Sequence, residues 1–258
     1  MQLTKHSNGL LSIYFTAGYP TLDSTVAIAK ALEEAGADFL EIGFPYSDPV
    51  ADGPTIQHAS EEALKNGMTL KVLFEQLKDL RKHVSIPVYL MGYVNPVLQF
   101  GVENFCKACA AVGVNGTIIP DLPIYEYEEL YKTVFEENGI SNIFLVTPQT
   151  SEARIRKIDD LTTNFIYLLS SNATTGKNLE VKDQAEAYFK RIKKMELKNP
   201  FIIGFGISNQ DTFQKATTYA NGAIVGTAFV KLLGEENYSE KIPAFIKSIK
   251  GKTNHRVQ

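Results

Sequence analysis

LEEAGADFLEIG, residues 32–43, contains the unit from which the chain is built: the end of a helical pattern, a glycine, then a short apolar run. The same order returns in CAAVGVNGTIIPD (109–121), FEENGISNIFLVT (135–147) and TTYANGAIVG (217–226). In each, a glycine (Gly36, Gly113, Gly139 or Gly222) stands where a helix C-terminus calls for a left-handed residue. Before the first of them, Ile28, Ala31, Leu32 and Ala35 follow the i, i+3, i+4, i+7 spacing of a helix stripe facing a core. The apolar runs are continuous rather than alternating, as in strands of a sheet covered on both faces.

Eight such runs can be counted: LSIYFTA, FLEIG, PVYLMGY, GTIIPD, NIFLVT, NFIYLLS, FIIGFG and GAIVG. A helical pattern follows nearly every one, at roughly 32 residues per unit, and no linker interrupts the series. The expected fold is therefore a single (β/α)8 TIM barrel, one domain over residues 1–258. A doubly wound open sheet is the alternative and normally has fewer strands. Two connections leaving strand C-terminal ends read as longer than the rest, Phe44 to about Ala59 and SSNATTGKNLEVK from Ser170. Long loops on that face of a barrel carry binding or lid functions.

Bulk composition narrows the function. With 44% hydrophobic and 21% charged residues and a net charge of −3, the chain is an ordinary globular protein. It offers no basic face to nucleic acid or anionic membrane. No apolar run reaches the ~18 residues of a spanning helix, and MQLTKHSNG has no signal-peptide pattern, so a cytoplasmic protein is expected. Cys106 and Cys109 are both in a helical pattern, three apart on one face, and read as packing residues rather than a redox or metal pair.

Chemistry is expected at two places. GFGISNQ after the seventh run and VGTAFVKLL after the eighth put glycine where strand gives way to helix. Free N–H groups and a dipole end there suit an anion, so Gly206, Gly226 and Thr227 form a phosphate candidate. Each glycine alone reads equally well as turn chemistry. GFGISN is a poor dinucleotide motif, since Asn209 replaces its third glycine. The second place is Glu41, a carboxylate between Leu40 and Ile42 in an apolar strand. Burial there is costly unless the group is paired or protonated, and it raises the pKa toward working pH. Asp52, eleven residues on in a proline-rich loop, reads by itself as a turn residue, as does Asp48. These residues describe a barrel enzyme with two acids and a phosphate site, and leave its substrate open.

LEIGFPYSDPVADGPTIQ, with its glutamate, SDP and ADGPTIQ at matching spacing, resembles the signature of the tryptophan synthase alpha subunit family. YFTAGYP, MGYVNP, IIPDLP, YLLS, GFGIS and VGTA extend the resemblance over nearly the whole chain. The resemblance implies a lyase that cleaves indole-3-glycerol phosphate to indole and glyceraldehyde 3-phosphate. It implies Glu41 as general acid/base and Asp52 as the acid that meets the indole nitrogen. Tyr14, Tyr93, Ile118, Tyr167, Thr175 and Phe205 then fall on indole-pocket positions, and Gly176, Gly206, Gly226 and Thr227 on phosphate-loop positions. Asp121 is expected beside Glu41. The family implies no cofactor in this chain and a pyridoxal-phosphate beta subunit as partner in an alpha2beta2 complex, with Asp48 and Pro49 as contacts. A non-catalytic activator of the beta subunit and another phosphate-binding barrel, an isomerase or epimerase, are the alternatives. Two features depart from the family pattern. Ser171 stands where relatives often carry arginine and Ala173 near a glycine position, and the segment before Leu11 is short for a complete N-terminal capping helix.

Overall fold

The computed structural model describes residues 3–169, 179–204 and 206–251, with the side chains of 179–184 left aside. Among these residues nine parallel strands form one sheet: β1 (Leu10–Thr16), β2 (Phe39–Gly43), β3 (Val88–Met91), β4 (Gly116–Ile118), β5 (Ser141–Ile143), β6 (Leu145–Val146), β7 (Ile166–Leu169), β8 (Phe201–Gly204) and β9 (Gly222–Val225). Their order is β5-β4-β3-β2-β1-β9-β8-β7-β6. The two ends of that order, β5 and β6, are halves of the fifth expected run, parted only by Phe144. Ahead of Phe144 the chain pairs with β4, and beyond it with β7, where the Tyr167 N–H donates to the Phe144 carbonyl at 3.0 Å. The chain thus turns the corner of a closed barrel within one run, which accounts for nine strands where eight were expected.

Two apolar layers follow from the alternation of side chains along each strand. One lies between sheet and helices and includes the Ile28–Leu32 face of the first helix and both cysteines. The other fills the lumen around a triad of rings, Phe39, Tyr89 and Phe165, with centroids 5.2–5.9 Å apart. Leu3 closes the lumen cluster, where the family pattern calls for a capping helix. Residues 3–9 form no helix; Asn221 holds them by donating to the carbonyls of Lys5 (3.0 Å) and Ser7 (2.8 Å). Arg81 ties the segments that lead into β3 and β4, donating to the carbonyls of Val84, Ile86 and Gly113 and to Asn115 Oδ1.

Of the four repeat glycines, Gly36, Gly113 and Gly139 have positive φ, as expected of helix ends. Gly222 does not; it opens β9, and a Cβ there would strike the Leu10 carbonyl. Its need is close backbone approach rather than handedness. The loop after β2 is also shorter than expected. Pro54 starts a helix (Pro54–Lys65) at its first position, where a missing N–H costs nothing, so the loop spans 44–53. Of the second long connection, residues 170–178, with Ser171 and Ala173, lie outside the described residues, and its expected end is helix, since Leu179 opens the helix Leu179–Lys194.

Candidate active site

Glu41 is the third residue of β2, in register with Tyr14 of β1 and Tyr89 of β3, both lumen residues. It faces the lumen with them and is 0% exposed. Ser12 Oγ donates to its Oε1 at 3.3 Å, and Oε2 has no hydrogen-bond partner among the described residues. Burial without an opposing cation pushes the carboxyl up to about 8, against the lesser pull of the Ser12 bond. At neutral pH Glu41 therefore carries a proton that it can donate.

Asp52 is held differently. Its Oδ2 accepts from Tyr93 Oη at 3.0 Å, and the same phenol oxygen accepts the Ala51 N–H at 3.0 Å. Gln57 Nε2 donates to the Asp52 carbonyl at 2.9 Å and fixes the loop against the following helix. Partial burial raises the Asp52 carboxyl above its ordinary value, while the Tyr93 bond lowers it. Tyr14 and Tyr167 lie within electrostatic reach of both acids, and burial holds both phenols neutral.

A cavity of about 360 Å³ opens above the lumen rings. Asp52, Tyr14, Ile56, Met91 and Tyr167 form the apolar and acidic part of its wall. Gly206, Ser208, Gly226, Thr227 and Lys231, which follow β8 and β9, line it from the other side, together with the apolar Ile207, Ile224 and Ala228. Glycines at two strand tops make room for rings that lie across the lumen beneath it. A Cβ at Gly43 would collide with the Tyr14 phenol, and one at Gly204 with that of Tyr167. After β8, Asn209 and Thr212 form a reciprocal capping box at the start of the helix Gln210–Tyr219. Thr212 Oγ1 takes the Ser208 and Asn209 N–H groups at 3.0 and 3.1 Å, so these two are not free for an anion.

Tyr14, Asp52, Tyr167, Gly206, Gly226 and Thr227 line this one cavity, and Tyr93 lines an adjoining cleft of about 70 Å³. Glu41 lines neither space. Ile118 is fully buried among the lumen rings, and its strand neighbour Met91 takes the place on the wall. Thr175, Gly176 and Phe205 lie outside the described residues. Asp121 is not beside Glu41. It is exposed, accepts the Val94 N–H at 2.8 Å and acts on Tyr93, so it bears on Asp52 at one remove. Asp48 and Pro49 sit on the outer part of the loop next to Val50, which is 85% exposed. Sequence reading missed Lys231, although its i+4 spacing from Thr227 puts it on the same helix face.

Among the described residues no three His, Cys, Asp or Glu side chains are grouped to hold a metal, and no helix is long and apolar enough to cross a membrane. Residues 1–255 match the family model described as tryptophan synthase alpha chain. The chain is 55% identical over 248 residues to the tryptophan synthase alpha chain of Flavobacterium psychrophilum, covering 96% of this chain and 98% of that one. It is 52% identical over 252 residues to that of Christiangramia forsetii, covering 98% of each. Among solved structures it is similar to a chain of the tryptophan synthase complex from Pyrococcus furiosus, with a TM-score of 0.86, 37% identity and 95% and 99% of the two chains covered.

Proposed function

Because the chain belongs to the tryptophan synthase alpha chain family, we propose that it is the lyase subunit that splits indole-3-glycerol phosphate into indole and glyceraldehyde 3-phosphate. We assign Glu41 as its general acid and base and Asp52 as the group facing the indole nitrogen. The observation that carries these roles is the contrast between the two acids: Glu41 is fully buried, which pushes its carboxyl up to about 8, whereas Asp52 is hydrogen-bonded to Tyr93 on the cavity wall.

The chemistry explains the pairing. Breaking the bond from indole C3 to the carbinol carbon would expel a poor carbanion. Proton transfer from Glu41 to C3 converts the ring to an indolenine cation instead. Asp52, as carboxylate, stabilises the positive charge at the ring nitrogen. Glu41, now ionised, removes the proton of the carbinol hydroxyl; the C–C bond breaks, its electrons return to the ring, and neutral indole and the aldehyde leave. Glu41 ends protonated, ready for another turn. Tyr14, Tyr167, Ile56 and Met91 suit a flat apolar ring, and Gly206, Gly226 and Thr227 suit the phosphate.

We further assign the face carrying Asp48, Pro49, Val50 and Tyr125 to a beta subunit that receives the indole and holds the pyridoxal phosphate, with both in the cytoplasm. Val50 and Tyr125 are large exposed apolar side chains, as a docking face requires.

Purified protein given indole-3-glycerol phosphate should release indole, faster with the beta subunit present. Glu41→Gln and Asp52→Asn should each lower the rate at least about a hundredfold. Full turnover by Glu41→Gln would end the assignment of the acid. Activation of the beta reaction without any indole release would leave only an activator.

A further inference from the structure

We propose that Tyr14 is a positioning residue: its ring covers Glu41 and separates the carboxyl from the substrate cavity. The proposal rests on the reading of Glu41 as the general acid and adds what keeps that acid in its working form.

The geometry runs from one strand top to another. Tyr14 on β1 is in register with Glu41 on β2. Its ring begins beside Gly226, where a Cβ would sit 3.5 Å from Cδ1, and ends over Gly43, where a Cβ would sit 2.7 Å from Cζ. Gly43 follows Glu41 by two, so both face the lumen from the same strand. The phenol therefore fills the place of the missing side chain directly above Glu41. Tyr14 lines both the main cavity and the adjoining cleft, whereas Glu41 lines neither and is 0% exposed. Among the described residues the phenol's only hydrogen bond is a long one to Thr16 Oγ1, 3.4 Å, so steric fit more than polar contact holds the ring there.

Among the described residues, the other groups around Glu41 do not account for its state. Ser12 and Tyr14 face it from β1, Tyr89 from β3, and Tyr167 from β7, with Asp52 on the loop above. The three phenols are neutral, and the Ser12 bond pulls toward ionisation. Exclusion of water is what remains, and Tyr14 is the piece of that exclusion on the cavity side. Proton delivery to a bound ligand then requires the Tyr14 ring to swing aside or the Glu41 side chain to extend past it.

The test follows the Glu41 carboxyl directly, by carbon-13 NMR titration of the full chain, with Glu41→Gln identifying the signal. Wild type should titrate near 8. Tyr14→Phe, which keeps the ring, should titrate close to wild type, while Tyr14→Ala should fall by at least about one pH unit. Tyr14→Leu, a milder cut, should fall between the two and serves if Tyr14→Ala does not fold. An unchanged midpoint in a folded Tyr14→Ala or Tyr14→Leu overturns the proposal. A drop in Tyr14→Phe as large as in Tyr14→Leu overturns it too, since the hydroxyl would then be responsible. The titration needs no turnover, so a chain that releases no indole would sink the functional reading and leave the cover separately decided.

Discussion

Replacing Glu41 by glutamine should make the protein's stability less sensitive to pH, and the size of the change can be worked from the burial of the carboxyl. Folded Glu41 titrates near 8, against an ordinary value of 4.5. Between those two values the folded chain keeps a proton that the unfolded chain has released. Unfolding therefore becomes easier as pH rises, by about 1.4 kcal/mol per pH unit at full slope. Below 4.5 both states are protonated and the effect vanishes. From about pH 5.5 to about pH 8 the accumulated cost is about 3 kcal/mol, and glutamine has no proton to lose. Absolute stabilities also change, because the amide leaves an N–H group beside a site where Oε2 already lacks a partner among the described residues. The comparison is therefore between slopes. Urea unfolding of both proteins across this pH range, fitted for free energy at each point, gives the answer. Curves that stay parallel would refute the idea that Glu41 is buried as the neutral acid.

Further outcomes follow from other contacts. Tyr93→Phe removes the donor that favours ionised Asp52, so the Asp52 carboxyl should rise further. The acid limb of kcat/KM for indole release should then move to higher pH, with the rate down about tenfold. Arg81→Ala strips donors from three carbonyls and Asn115, and should cost about 2–4 kcal/mol in urea unfolding while leaving the KM of the folded enzyme unchanged. Cys106 and Cys109 are buried, with the Cys106 thiol pushed up to about 12, so a thiol reagent near pH 8 should react with neither until denaturant is added. Rapid labelling of the native protein would contradict their packing.

The barrel could be read from the sequence because its signals are local: a helix stripe, a glycine and an apolar run recur within about a dozen residues. Glu41 stood out because a carboxylate in such a run needs a reason. The break at Phe144 gave no sign, since no glycine or proline marks it and only the partners on either side require the turn. Gly222 sits in the same local pattern as Gly36, yet its reason is the carbonyl of Leu10, more than two hundred residues away in sequence. Asp121 and Ile118 were misplaced for a related cause. A residue's strand can be read from the chain, but its height in the lumen depends on register with neighbours. That the Tyr14 ring lies over Gly43 is likewise a matter between strands.

The seam at Phe144 also bears on how the molecule avoids its own kind. Because β5 and β6 are joined through a single residue, no strand of the sheet ends in an open row of unpaired amides that another copy could extend. A cut at Phe144 would open the ring into one parallel sheet, β1 still paired with β9, with bare edges at β5 and β6. Those edges fit one another in register, but they also fit any other exposed strand. One peptide segment thus separates a self-contained surface from two templates for aggregation.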